Sequence, residues 1–173
     1  YQRISESDRS KILINGNPTI EIDFFSLHGK MIYQIFKKKD YLEDPYIVDD
    51  NIELRTAGKK MFQMILNAKG KITSIKAFNK FLRDDTEGDE IENVLKKFSY
   101  TPEMLYEALE KRHKEIKEYF STGIGLKLQY IDSIVAESVL KHFLKRNIPC
   151  LCIHDSFIVE KQYEDDLADT MKR

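Results

Sequence analysis

Two aspartates that follow short apolar runs are the residues of this chain best placed to do chemistry together. Asp23 ends the alternating segment TIEIDF at 19–24, and Asp155 lies between two apolar runs within CLCIHDSFIVE at 150–160. Polar–apolar alternation predicts a strand in the first segment, and paired short apolar runs predict a hairpin in the second. Two neighbouring carboxylates repel unless a divalent cation neutralises them, and oxygen ligands suit Mg²⁺ or Mn²⁺ rather than zinc. We therefore expect two metal ions here, arranged for phosphoryl transfer.

A second candidate site is a stripe of four polar residues on one predicted helix, Ile52 to Ala68. They recur at intervals of four and so share a helix face: Arg55, Lys59, Gln63 and Asn67. From Arg55 to Arg83 the chain carries eight basic residues and no acidic one. Such a block creates a local positive field suited to phosphate, although lysine-rich helix faces are also common on ordinary solvated surfaces. We interpret the acidic segment that follows, 84–92, as a mobile loop joining helices.

The remaining elements predict an α+β layered domain. A helix is expected after Ser26, which is suited to cap it. Further helices are expected from Thr101-Pro102 to about Phe120, with His113 exposed, from Leu126 to Arg146, and from Tyr163 to the end of the chain. The order is strand, helix, mainly helical insertion, then strand hairpin and helix, which is typical of α+β folds.

Size and composition limit the alternatives only broadly. A chain of 173 residues fits one domain, and its net charge of −1 gives no information about partners. Cys150 and Cys152 lie two apart on one predicted strand, a spacing that suits a disulfide poorly, so we interpret them as buried free thiols of a cytoplasmic protein. No apolar run is long enough for a membrane span. Because the chain begins with Tyr1, it could be a fragment with further domains.

Three segments resemble motifs of the superfamily that contains the family A DNA polymerases and the phage-type single-subunit RNA polymerases. EIDFFSLHGKMIY at 21–33 resembles motif A, RTAGKKMFQMILNA at 55–68 resembles the motif B helix, and HDSF at 154–157 resembles motif C. The motifs occur in the family's order and extend over most of the chain from about Thr19. The resemblance implies a polymerase palm, with a small antiparallel sheet packed on helices, at about 15–50 and 121–173. It also implies a helical fingers-like insertion at about 51–120, both within one catalytic core.

The resemblance also implies roles for individual residues. Asp23 and Asp155 would hold two Mg²⁺ or Mn²⁺ ions, with the Phe24 backbone carbonyl as a further ligand. Arg55 and Lys59 would contact the incoming triphosphate, and Lys59 would also donate a proton to the pyrophosphate leaving group.

Other residues would contact the nucleic acid or the nucleotide. His154 would support the primer terminus, and Gln129 lies on the helix that touches the template–primer duplex in the family. The basic block adds Lys60 as a nucleic-acid contact. Three further positions correspond to the pocket for the incoming base and sugar: His28, Gln63 and Asn67. At these three positions the chain departs from the family pattern, which leaves the choice between deoxyribose and ribose unspecified.

Three functions fit these residues. The first is template-dependent nucleotidyl transfer to a primer 3′ end, as in a small plasmid or phage polymerase, with primer–template and nucleoside triphosphates as partners. The second is a reduced palm that binds nucleic acid as a replication module without chemistry. The third is a two-metal nuclease, which would need the carboxylates but not Arg55 and Lys59 on a helix.

Overall fold

Four short strands and eight α-helices form the part of the chain that the computed structural model describes, residues 2–172. The strands are β1 (Leu13–Ile14), β2 (Asn17–Asp23), β3 (Leu151–Ile153) and β4 (Ser156–Glu160). The helices are α1 (Glu6–Arg9), α2 (Leu27–Lys37), α3 (Arg55–Asn67), α4 (Lys71–Asp84), α5 (Thr86–Lys97), α6 (Pro102–Arg112), α7 (Gly125–Leu144) and α8 (Glu164–Lys172). The chain divides into two units: one contains the residues up to Leu27 and from Tyr130 onward, and the other is His28–Gln129.

The sheet of the first unit is antiparallel, with the strand order β1-β2-β4-β3. Strand β2 pairs with β4 over five residues, from Thr19 opposite Glu160 to Asp23 opposite Ser156. A two-residue turn, Asn15-Gly16, joins β1 to β2 with φ angles of 54° and 80°. Asn and Gly tolerate positive φ, so this pair suits a tight hairpin. The two residues of β1 carry too little pattern to be predicted from sequence.

Alternation along β2 and β4 separates an apolar face of the sheet from a polar one. Ile20 and Ile22 pair with Val159 and Phe157, and this face packs with residues of α7 and α8 in a buried cluster. The cluster comprises Val139, Phe143, Phe157, Val159 and Leu167. The small antiparallel sheet packed on helices confirms the predicted α+β class.

Helix α3 packs against α4, α5 and α6 in the second unit. Its buried positions follow the predicted helical period, and they include Met61, Phe62 and Ile65. The first three residues of the predicted helix, Ile52–Leu54, form a short 3₁₀ helix instead. The predictions for α2, α7 and α8 are confirmed to within a few residues at their ends. Among residues 2–172, no helix combines the length and apolar character that a bilayer span requires.

The predicted loop at 84–92 is wrong, because α5 begins inside it. The Asp85 side chain accepts a hydrogen bond from the Glu87 amide at 2.9 Å and caps the helix, whose first turn is acidic as the helix dipole favours. Gly88 is buried, and a Cβ there would lie 2.5 Å from the Phe81 carbonyl oxygen. The glycine that suggested a loop therefore permits α5 to pack closely on α4.

The predicted helix from Thr101 to Phe120 is half as long as expected, and His113 is buried rather than exposed. Helix α6 ends at Arg112, and His113 is its C-cap. The His113 Nε2–H donates to the Pro45 carbonyl at 2.7 Å, so Nδ1 is free to accept from the Tyr33 hydroxyl at 2.8 Å. Both ring nitrogens are thus satisfied by the neutral imidazole, within a charged sequence that had suggested an exposed face.

Ser26 does not cap α2 as predicted. Its φ of 56° is left-handed, whereas an N-cap residue needs extended backbone. Its buried hydroxyl has no hydrogen-bond partner among the described residues.

Burial of His113 makes the stability of the fold depend on pH. Desolvation lowers the pKa of His113 from its ordinary 6.5 to about 4. Between these two pH values His113 binds a proton in the unfolded chain but not in the folded chain. The free energy of unfolding should therefore fall as the pH drops from 6.5 to about 4. We expect the wild-type protein to lose about 3 kcal/mol more than His113→Gln over this range, measured by urea unfolding at several pH values. Parallel curves for the two proteins would contradict this explanation.

Candidate functional site

The pairing of β2 with β4 brings Asp23 and Asp155 to the same end of the sheet. Asp23 is the last residue of β2 and lies opposite Ser156, the residue after Asp155. The Phe24 amide donates a hydrogen bond to the Asp155 carbonyl at 3.1 Å. Asp155 itself lies in the two-residue turn between β3 and β4, where His154 has a φ of 52°. Two carboxylates that are 132 residues apart in sequence are therefore neighbours in the fold.

A cleft of about 360 Å³ opens beside the two aspartates in the first unit. Three carboxylates and one guanidinium lie among its lining residues, which are Gln2, Arg9, Glu21, Asp23, Ile153, His154, Asp155 and Ser156. Such a cleft suits a small polar ligand or a hydrated cation. The contributions of Gln2 and Arg9 could not be predicted, because these residues belong to an N-terminal segment without a recognisable sequence pattern.

The Glu21 carboxylate lines the same cleft as the aspartates and accepts hydrogen bonds from two residues, Arg9 and Ser156. The Arg9 guanidinium donates to both of its carboxylate oxygens, at 2.9 and 3.0 Å. The buried Ser156 hydroxyl donates to Glu21 Oε1 at 2.6 Å and also lies 3.1 Å from the Ile153 carbonyl. Hydrogen bonding to Arg9 holds the pKa of Glu21 below its usual value, against the opposing effect of burial. Glu21 thus stays ionised and connects the N-terminal segment to the hairpin that carries Asp155.

The cleft fits a hydrated hard cation better than a fully protein-ligated one. Among residues 2–172, no group of three or more His, Cys, Asp or Glu side chains is arranged to hold a metal ion. Mg²⁺ in proteins is usually bound by only one or two carboxylates, with water and substrate phosphates completing the octahedron. Asp23 and Asp155 fit that pattern, since both line the cleft and the Phe24 amide, next to Asp23 in the chain, is hydrogen-bonded to the Asp155 carbonyl.

The polar stripe predicted on α3 lies on one exposed side of that helix in the second unit. Lys59, Gln63 and Asn67 are exposed, and the Asn67 amide donates to the Gln63 carbonyl at 2.9 Å. Arg55 is held within its own unit: its Nε donates to Asp44, and its guanidinium lies 5.6 Å from the centre of the Tyr46 ring. Lys59, by contrast, forms no ion pair with any residue that the structure describes.

Three further predicted site residues occupy different surroundings. Lys60 forms an ion pair with Glu87 at 2.7 Å and lies 4.8 Å from the centre of the Phe81 ring. Gln129 is exposed on α7, and His28 is half-buried near the start of α2. The charge of Lys60 is therefore already compensated, whereas Gln129 is accessible to a ligand.

The two cysteines are free thiols, as predicted. Cys150 and Cys152 are half-buried on or beside β3, and burial raises the pKa of Cys150 to about 12. A thiol with so high a pKa is a poor nucleophile and metal ligand at neutral pH.

Comparisons with protein-family models, with curated proteins and with solved structures found no match for this chain. The polymerase resemblance therefore depends on the three sequence motifs.

Removal of the Ser156 hydroxyl should destabilise the first unit through Glu21. The change Ser156→Ala leaves the carboxylate without its hydrogen bond from the hairpin, at a position that is only 6% exposed. We expect a loss of about 1–2 kcal/mol in the free energy of unfolding, measured by urea denaturation at neutral pH. Ser138→Ala, at an exposed position of α7, is the matched control and should change stability by no more than about 0.5 kcal/mol. Equal effects of the two changes would rule out a special role for the Ser156 bond.

Proposed function

We propose that this chain is the catalytic core of a template-dependent nucleotidyltransferase that extends a primer 3′ end. The observation that carries the proposal is the position of Asp23 and Asp155 side by side at one end of the two central strands, on a polar cleft. The order and residue types of the three motifs support the same reading. The activity requires primer–template, nucleoside triphosphates and divalent metal.

In this proposal the two aspartates would hold Mg²⁺ or Mn²⁺ through their oxygens, with the Phe24 carbonyl as a further ligand. Such ions would supply positive charge that offsets the negative charge developing at the α-phosphate and on the leaving pyrophosphate. The hydrogen bond between the Phe24 amide and the Asp155 carbonyl fixes the backbones that carry the two aspartates.

The resemblance to motif B assigns the triphosphate contacts to residues of α3. Lys59 is an exposed, flexible cation that can follow the phosphates and donate a proton to the leaving pyrophosphate. Arg55 already has a carboxylate partner, Asp44, and a ring beneath its guanidinium. Those contacts orient the planar group, and a phosphate must share it with Asp44 or replace Asp44. We therefore assign Lys59 the larger part of the charge compensation.

A second candidate function is nucleic-acid binding without chemistry, as in a reduced replication module. It is favoured by Gln63 and Asn67, two exposed polar residues where the resembled motif B helix places the residues that stack on the incoming base and select its sugar. A poor base pocket would lower incorporation but leave binding to primer–template intact.

The proposal predicts that Asp155→Asn and Asp23→Asn each reduce primer extension by more than about two orders of magnitude, because each removes a metal-binding charge worth several kcal/mol in the transition state. The fold should persist, since the Phe24–Asp155 hydrogen bond is made by backbone atoms. The measurement is gel-resolved extension of a labelled primer–template with each nucleotide set, with and without Mg²⁺.

The matched control is Asp165→Asn, which removes an exposed carboxylate from the first turn of α8 in the same unit. It should leave extension unchanged. Full Mg²⁺-dependent extension by the Asp155→Asn protein would overturn the proposal. Salt-sensitive binding of primer–template by the wild-type protein, without any extension, would select the binding module instead.

A further inference from the structure

The eight basic residues from Arg55 to Arg83 differ in whether the structure pairs them with a carboxylate. Three of the eight are neutralised within the second unit: Arg55 by Asp44, Lys60 by Glu87 and Lys71 by Glu107. Three others lie on α4 and form no ion pair with any residue in the described range 2–172: Lys76, Lys80 and Arg83. The other two, Lys59 and Lys69, lie outside α4. The three cations of α4 are therefore the largest group of uncompensated charge on one element of the block.

These three cations share one face of α4, because their spacings of four and three residues match the helical repeat. Together with Asn79, Leu82 and Glu92 they line a groove of about 620 Å³, here called the α4 groove. Lys76 and Arg83 are separated by about 10 Å along the helix axis. That length accommodates two or three consecutive phosphates of a nucleic-acid strand.

The charges facing the α4 groove leave it clearly positive. Its one carboxylate, Glu92, is already bound to Lys96 of the next turn of α5 at 2.9 Å. Lys76 and Lys80 are like charges four residues apart in the body of the helix, an arrangement that weakens a helix. The helix dipole favours only Arg83, which lies in the last turn. The presence of Lys76 and Lys80 is therefore not explained by the stability of the helix, but binding of an anionic ligand would explain it.

We propose that the α4 groove binds the sugar–phosphate backbone of a nucleic-acid strand. Lys76, Lys80 and Arg83 contact successive phosphates, and the half-buried Asn79 amide offers a hydrogen-bond donor beside them. Contacts of this kind position a strand without reading its sequence. The inference deepens the proposed function by identifying where the second unit holds nucleic acid, and it rests on that function for its biological meaning.

The experiment measures binding of a fluorescent single-stranded oligonucleotide by anisotropy, in the absence of divalent metal and over a series of KCl concentrations. The test protein is Lys76→Gln/Lys80→Gln/Arg83→Gln. All three side chains are exposed, and Gln is a good helix former, so the fold is retained and circular dichroism checks it. We expect affinity at low salt to fall at least about tenfold. The plot of the logarithm of the association constant against the logarithm of the salt concentration has a negative slope. The magnitude of this slope should decrease by about two, since each lost phosphate contact accounts for about 0.7.

The control removes the same charge from three exposed lysines elsewhere in the second unit: Lys111→Gln/Lys114→Gln/Lys117→Gln. It should bind the oligonucleotide within about twofold of the wild-type protein, with a nearly unchanged salt slope. An equal loss in both triple variants, or no loss in the groove variant, would overturn the inference. Polyglutamate that competes as well as unlabelled oligonucleotide would also overturn it, and would indicate an acidic protein surface as the ligand.

The outcome of this binding experiment is independent of the catalytic proposal, because the assay contains no divalent metal and no nucleoside triphosphate. Loss of binding in the groove variant, combined with no primer extension by the wild-type protein, would support the α4 groove and refute the polymerase activity. Primer extension by the wild-type protein, combined with normal oligonucleotide binding by the groove variant, would support the polymerase activity and refute the α4 groove.

Discussion

The antiparallel pairing of β2 with β4 is the interaction on which both the core of the first unit and its candidate site depend. The same register places Ile20 and Ile22 on the α7 and α8 side and sets Asp23 opposite Ser156. A shift of one residue would exchange the two faces, burying Asp23 against the helices and exposing the isoleucines. The hydrophobic pattern that stabilises the sheet therefore also fixes the positions of the carboxylates.

Features encoded by short-range patterns were predictable from sequence. Alternation located β2, and the paired apolar runs located the hairpin that carries Asp155. Four-residue spacing located the exposed side of α3, where Lys59 is accessible. That Arg55 is already paired with Asp44 was not predictable. The two residues lie in different parts of the chain, and a local sequence pattern does not indicate which basic side chains form ion pairs in the folded protein.

The wrong predictions share a physical cause. Contacts with residues that are distant in sequence give a residue different surroundings from those that its local sequence predicts. Gly88 and the acidic residues around it are typical of a loop, yet Asp85 caps α5 and the glycine permits contact with α4. His113 lies among charged residues, yet Tyr33 and the Pro45 carbonyl satisfy both of its nitrogens in the core. In each case the decisive partner comes from another part of the chain, beyond the range of a sequence window.

Because Arg9 contacts Glu21, the electrostatic potential of the cleft depends on the N-terminal segment that carries Arg9. Glu21, Asp23 and Asp155 contribute three negative charges to the cleft lining and Arg9 contributes one positive charge, a balance of −2. Without the Arg9 guanidinium the same lining would carry a balance of −3. Cation affinity and the repulsion of an incoming phosphate would both increase. The segment that carries Arg9, which has no recognisable motif, thus sets part of the charge of a site formed by the sheet.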